Sequence, residues 1–128
     1  MTTPAPAYTP RTILITGASG EFGAAFAHRF AAIGSKLILT ARDPAKLKPL
    51  LDTLSVPVHV LTLDVRDRKA VEEALATLPA DFAEIDLLVN NAGLALGADP
   101  AFKANLDDWE VMIDTNDKAL AIVTGLVL

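Results

Sequence analysis

A short apolar run, Ile13-Leu14-Ile15, is followed at once by Thr16-Gly17-Ala18-Ser19-Gly20-Glu21-Phe22-Gly23, and this junction constrains the fold more than any other stretch. The run has two β-branched members and no polar alternation, the pattern of a strand covered on both faces. Gly17, Gly20 and Gly23 then recur at every third position. Residues 24–33 carry an amphipathic helical pattern, with Phe22, Phe26, Phe30 and Ile33 on one stripe. A strand, a glycine-rich turn and a helix in that order can aim backbone N–H groups at a pyrophosphate. Glycine serves there because a side chain obstructs both the tight turn and the approach of a phosphate. The same arrangement also occurs as a plain connection, so a nucleotide site and an ordinary loop are both open at this point.

Further along, strand and helix patterns alternate. Gly34 suits the end of the first helix, and Lys36 to Thr40 reads as a second strand. Asp43 can cap a helix whose first position suits Pro44. That helix carries Leu47, Leu50, Leu51 and Leu54. Pro49 lies inside it and would cost roughly 3 kcal/mol in a continuous helix, so a kink or a short helix is expected. Residues 56–65 read as a third strand. Asp67 then caps a helix through Val71, Ala74, Leu75 and Leu78 that stops at Pro79. Residues 86–93 form the fourth strand and its exit. Asn105, with Asp108 three places on, resembles a capping box. The last helix is expected to use Trp109, Met112, Ile113, Leu120 and Val123, and its apolar end has nothing after it to pack upon. Four alternations of strand and helix predict an α/β fold: a Rossmann-type doubly wound parallel sheet, incomplete at about four strands, in the order 3-2-1-4 with helices on both faces.

Composition removes several function classes. The 128 residues are one domain's worth of chain or less, and 52% are hydrophobic, enough to fill a core. The net charge of −5 opposes a nucleic-acid or anionic-membrane surface. No cysteine is present, so neither a disulfide framework nor a thiolate metal site is available. His28 and His59 lie far apart without metal spacing, and no metal site is expected. No apolar run approaches the roughly 20 residues of a membrane helix. Residues 1–10 hold three prolines and no apolar signal core, and read as a short disordered arm. The cytoplasm is the expected compartment. The domain proper is expected to span 11–128.

Several motifs then fall in order: residues 16–23 on the first βα turn, Leu63-Asp64-Val65 ending the third strand, Asn90-Asn91-Ala92-Gly93 ending the fourth, and Asp114-Thr115-Asn116 on the last helix. Together they resemble the short-chain dehydrogenase/reductase family. Residues 79–97, Asp108-Trp109-Glu110 and Ile113-Asp114-Thr115-Asn116 resemble its NADP-dependent 3-hydroxy acid, serine-type branch in particular. The likeness runs from Arg11 to Leu128 and covers the N-terminal half of such an enzyme. It implies that Gly17, Ser19, Gly20, Glu21, Phe22 and Gly23 form the pyrophosphate turn. Asp64 would accept from the adenine amino group, with the Val65 backbone beside it. Asn91, Ala92 and Gly93 would pack on the ribose side, and Asn116 would kink its helix and organise a water of the catalytic site.

The second strand carries the cofactor choice. An acidic residue at its end would bind the 2′-hydroxyl of NAD and repel a 2′-phosphate. Ala41 stands at that place, and Arg42 offers a guanidinium fork for the phosphate, so NADP is expected, with NAD as the alternative. Two departures from the family pattern bear on the site. Glu21 stands where the main branch has glycine, and its carboxylate has to point away from the phosphates. Asp43 stands where the branch has a second arginine, and would weaken the phosphate's attraction unless it turns away as a helix cap.

The family's acid/base pair is a tyrosine with a lysine four residues on, helped by a serine. Tyr8 is the only tyrosine here, and Thr12 follows it by four. A phenol with a pKa near 10 needs a neighbouring cation to transfer protons near neutral pH. The stretch 1–128 is therefore expected not to turn over by itself. The resemblance implies an oxidoreductase that passes hydride between nicotinamide and a short hydroxy acid or alcohol, homo-oligomeric when intact, with its serine, tyrosine and lysine beyond Leu128. The other class is a non-catalytic nucleotide- or partner-binding module, with the last helix near Val123 to Leu128 as its interaction surface.

Overall fold

The computed structural model describes residues 10–94, 96–97 and 99–128. The expected arm lies outside the described residues except for Pro10, which is buried and whose carbonyl accepts from Ser35 Oγ at 2.5 Å. Four strands, β1 (Thr12–Ile15), β2 (Lys36–Ala41), β3 (Val58–Thr62) and β4 (Leu87–Val89), form one sheet in the order β3-β2-β1-β4. All three pairings are parallel, with Leu14 beside Ile38 on one flank and Leu88 on the other. This is the expected order and direction. The two central strands are buried along nearly their whole length, which is why their sequences run apolar without alternation. β3 is shorter than the expected 56–65, because the chain leaves the sheet at Leu63 toward the site described below.

Side chains alternate across this sheet into two cores. Ile13, Ile15, Leu37 and Leu39 face one way, with Leu47 and Leu50 packed among them. Leu14, Ile38 and Leu61 face the other way, against Leu75, Leu88 and Val127. Each fully buried Leu or Ile contributes roughly 1.5–3 kcal/mol by leaving water. Helices α1 (Glu21–Ala32) and α2 (Lys48–Leu51) belong to the first face, and α3 (Arg68–Ala76) to the second. The doubly wound arrangement follows from the apolar character of both faces.

The aromatic stripe of α1 is a correction. Phe22 is 78% exposed and Ile33 51%, while the residues buried against the sheet are Gly23 and Ala27. Only Phe30 of the stripe packs on the core, beside Ala24 and Ala31. The physical reason is closeness. A β-carbon at Gly23 would stand 2.6 Å from the Ala18 α-carbon and 2.8 Å from the Gly17 carbonyl oxygen. A helix that approaches backbone this tightly presents its small residues and turns its large ones outward.

Most predicted punctuation holds. At the end of α1 the Gly34 amide reaches the Ala31 carbonyl and the Ser35 amide the Phe30 carbonyl, a complete Schellman pattern. Asp43 accepts from the Ala45 amide and Asp67 from the Ala70 amide. Pro49 is accommodated by division: a 3₁₀ turn (Pro44–Leu47) leads into α2, and each begins with a proline in its first turn. Leu47 and Leu50 are buried as expected, with Leu51 and Leu54 packed against them.

The last helix is one rod in three parts: α4 (Leu106–Ile113), a π turn (Asp114–Lys118) and α5 (Ala119–Val127). Asn105 caps it by accepting from the Asp107 and Asp108 amides. Trp109, Ile113 and Leu120 are exposed rather than core, and the buried residues are Thr115, Ala119 and Val123. One extra residue in the π turn shifts the buried stripe around the axis, which a regular helical period does not anticipate. The apolar end of this helix does find something to pack upon. Val123 is buried, and Leu126 and Val127 pack against the same cluster, leaving Leu128 exposed.

Packing at the βα bend separates two glycines that look alike in sequence. Gly23→Ala is expected to lower stability by about 1–3 kcal/mol, since backbone must shift to admit the methyl group. Gly20→Ala, whose β-carbon would meet nothing nearer than 3.9 Å, is expected to fall below 1 kcal/mol. Urea denaturation of the two variants measures the difference.

Candidate dinucleotide site

Strand β1 ends at Ile15, and its exit is secured by threonines. Thr16 Oγ1 accepts from the amides of Asn91 and Ala92, both at 3.0 Å, and donates to the Val89 carbonyl. Thr40 Oγ1 accepts from the Gly17 amide at 3.2 Å, and the Ala18 amide reaches the Thr40 carbonyl. Asn91 returns the connection by donating Nδ2–H to the Gly17 carbonyl at 3.0 Å. The exits of β1, β2 and β4 are thus tied side by side.

Gly17 sits in the left-handed region with φ of +61°, and a β-carbon on it would stand 2.7 Å from the Ala92 α-carbon. Any other residue would be strained and would also push the β4 exit away. Beyond Gly17 the chain turns through Ser19 and Gly20 into α1. Gly20 is the N-cap and supplies no side chain. Among the described residues, no hydrogen bond engages the amides of Ser19, Gly20, Glu21 or Phe22. The first turn of a helix leaves such N–H groups without internal acceptors, and its dipole favours an anion there. Glu21 is exposed and itself lines the groove described next.

These exits border a groove of about 310 Å³ at the carboxyl ends of the strands, between β1 and β4, where the strand order reverses. Gly17, Ser19, Gly20, Glu21 and Phe22 line its centre. Arg42, Asp64 and Val65 line it toward β2 and β3, and Asn91, Ala92 and Gly93 toward β4. Every residue that the resemblance assigned to the cofactor is therefore gathered here except Gly23, which lies behind the bend and sets its distance from α1.

Asn116 lies outside the lining. It sits in the π turn, where Oδ1 accepts from the Leu94 amide at 2.9 Å and Nδ2 donates to the Leu94 carbonyl at 2.8 Å. Both ends of the amide are engaged, so this asparagine clamps the chain leaving Gly93. Its neighbour Thr115 does line the groove, and its buried hydroxyl has no partner among the described residues. Asp43 is turned into its own 3₁₀ turn, as a cap, at 3.0 Å from the Ala45 amide. Lys118, the last residue of the π turn, is exposed.

Four participants escape the sequence reading: Thr16, Thr40, Leu94 and Arg66. A threonine directly after an unbroken apolar run, Ile13-Leu14-Ile15 or Leu37-Ile38-Leu39, is the signal for the first two. Arg66 stands two residues after Asp64, the spacing of an Asx turn, and its amide donates to Asp64 Oδ1 at 3.0 Å. Its guanidinium also grips the carboxylate, with Nη2 at 2.6 Å from Oδ2. These side-chain hydrogen bonds hold the Asp64 carboxyl below its ordinary value. Partial burial pushes the other way, and the Arg66 amide and the charges of Arg66 and Arg42 add to the lowering. Among the described residues, no cluster of three or more His, Asp or Glu could hold a metal ion.

Two expectations follow from these contacts. Asn116→Ala strands the half-buried N–H and C=O of Leu94 and is expected to cost about 1–3 kcal/mol, with faster amide exchange along residues 91–94. Asp64 has a folded value below its unfolded one near 3.9, so its contribution is present above that pH and is lost as acid takes the pH down through the folded value. Asp64→Asn is therefore expected to lower stability at pH 7 by no more than about 1 kcal/mol, with the gap closing below pH 4 in acid denaturation series.

Comparison with known proteins fits this geometry. A family model described as short chain dehydrogenase matches residues 11–128. The chain is 51% identical over 116 residues to the NADP-dependent 3-hydroxy acid dehydrogenase YdfG of Escherichia coli (strain K12), across 91% of this chain and 47% of that protein. It is 52% identical over 118 residues to sulfoacetaldehyde reductase 2 of Chromohalobacter salexigens, with 91% and 47% covered. The crystal structure of serine dehydrogenase from Escherichia coli matches with a TM-score of 0.86 at 50% identity, covering 91% of this chain and 54% of that one. The closed form of serine dehydrogenase complexed with NADP+ gives 0.87 at 50% identity, covering 91% and 47%. The chain spans about half the length of the curated relatives it matches. A strand, an uncapped glycine bend and a helix at the crevice of a parallel sheet, matched along nearly the whole sequence, place this chain in the short-chain dehydrogenase family.

Proposed function

We propose that the groove binds NADP and that this chain is the cofactor-binding half of an oxidoreductase acting on a short 3-hydroxy acid or a related alcohol. The observation that carries the reading is the pairing of uncapped amides at Ser19 to Phe22 with Arg42 in one groove. One supplies donors for a diphosphate, and the other supplies a guanidinium for a 2′-phosphate. Ala41 stands at the β2 end where an acid would select NAD, and the Asp43 carboxylate is engaged by its own turn. The relatives' names support the same choice, because one is an NADP-dependent 3-hydroxy acid dehydrogenase and one solved relative is complexed with NADP+.

Within this reading, nicotinamide supplies the hydride acceptor or donor when the dinucleotide is bound. The chain's residues bind and orient. Gly17, Gly20 and Gly23 keep the bend close and bare. Asp64 accepts from the adenine amino group, with the Val65 backbone beside it. Asn91, Ala92 and Gly93 pack on the ribose side. Asn116 holds the Leu94 backbone with both amide atoms from its place in the π turn. No tyrosine–lysine pair is available, since Tyr8, outside the described residues, has Thr12 four positions on. Proton transfer therefore depends on residues beyond this stretch, and 1–128 alone is expected to bind without turnover. The acidic net charge fits an enzyme that takes small molecules rather than nucleic acid, and the reading places it in the cytoplasm as a homo-oligomer when intact. None of its described helices is long and apolar enough to cross a membrane.

Cofactor choice tests the assignment. Arg42→Asp is expected to move the ratio of NADP to NAD affinity toward NAD by at least about tenfold, through loss of a charge-assisted pair and gain of repulsion. Calorimetric titration of both coenzymes measures it. An unchanged ratio removes Arg42 as the phosphate ligand, and absence of binding by either coenzyme removes the whole reading.

A further inference from the structure

The Asp64 carboxylate is held more firmly than its place on a loop requires. Oδ1 accepts from the Arg66 backbone amide at 3.0 Å and from Nε at 3.1 Å, and Oδ2 accepts from Nε at 3.0 Å and from Nη2 at 2.6 Å. Three N–H groups of one residue account for all of these contacts. A carboxylate has about four acceptor positions, so capacity remains for one further donor. Both residues line the groove that also holds Arg42. Arg66 itself is exposed, belongs to none of the hydrophobic clusters and packs no core residue. Surface ion pairs of this kind add little to stability. The arrangement is better explained by what it does to Asp64: it removes the rotation of the side chain and keeps the carboxylate ionised, so that one acceptor edge has a set direction.

We propose that Arg66 is a positioning residue that aims Asp64 at the base edge, making the groove selective for a 6-aminopurine dinucleotide over one carrying a 6-oxo base. This deepens the dinucleotide reading above and rests on it. An amino group donates to the remaining acceptor position of Asp64. A carbonyl oxygen at the same place meets a carboxylate and is repelled. Discrimination of this kind needs a carboxylate held still, because a freely rotating one turns away from the wrong base at little cost.

Affinities for NADP and for its hypoxanthine counterpart, measured by calorimetry on the whole protein and its Arg66→Ala, Arg66→Lys, Asp64→Asn and double variants, test this. The unaltered protein is expected to favour NADP by about tenfold or more, the worth of one hydrogen bond to a charged group. Arg66→Ala should bring the ratio to within about threefold of unity, and Arg66→Lys, which keeps the charge but not the fork, should fall between. Adding Arg66→Ala to Asp64→Asn should change the ratio no further, as expected for residues acting as one unit. Equal weakening of both dinucleotides in Arg66→Ala would make Arg66 a general phosphate attractor and overturn the proposal. Tighter NADP binding in that variant would make Arg66 an obstruction and overturn it as well. NADP binding without base preference in the unaltered protein removes the proposal and leaves the dinucleotide reading standing, whereas absence of any binding removes both.

Discussion

Gly17 and Ala92 lie so close that a β-carbon on Gly17 would stand 2.7 Å from the Ala92 α-carbon. That backbone-to-backbone approach holds the exits of β1 and β4 together, and Thr16 and Asn91 lock it with hydrogen bonds in both directions. A second approach, Gly23 against Ala18, brings α1 onto the bend. Side chains cannot exist at either point without moving main chain. The open amides of the bend, the outward turn of Phe22 and the position of the groove all depend on these two contacts.

The same closeness explains why large residues on α1 face outward. In an ordinary amphipathic helix the bulky stripe is the buried one. Here the helix has to approach the sheet within the reach of glycine and alanine, so Ala27 and Gly23 take the buried positions. Phe30 alone is far enough along the helix, beyond the bend, to join the core. Burial of an aromatic ring is favourable, but at the bend it would separate the helix from the strand exit that forms the anion site. Position of the backbone takes precedence over the hydrophobic stripe.

The π turn at Asp114–Lys118 works in a comparable way on the other side of the groove. It interrupts the helix where Asn116 has to reach the Leu94 backbone with both amide atoms. The interruption shifts the following residues around the axis, so that Ala119 and Val123, rather than Leu120, meet the core. Strand exits, the bend and the π turn are three separate segments of sequence, and each gives up some regularity where they meet. Departures from regular structure cluster at one place because that is where backbone groups are needed for something besides the fold.

Much of the architecture was legible in the amino-acid sequence. Unbroken apolar runs at Ile13–Ile15 and Leu37–Leu39 specify buried parallel strands, and Asp43, Asp67 and Asn105 mark helix starts by chemistry that is local to a few residues. The motif residues of the groove, from Gly17 to Gly93, could be named because the motifs at the strand exits resemble those of a known family. What only the tertiary structure decided depends on distances between segments far apart in the chain. The hydrogen bonds of Thr16 to Asn91 and Ala92, the turning outward of Phe22 and the clamp of Asn116 on Leu94 at the π turn are of that kind. Periodicity reports which face of a helix is apolar, but not how near the opposing backbone stands, and that separation settled which of its side chains could fit beneath it.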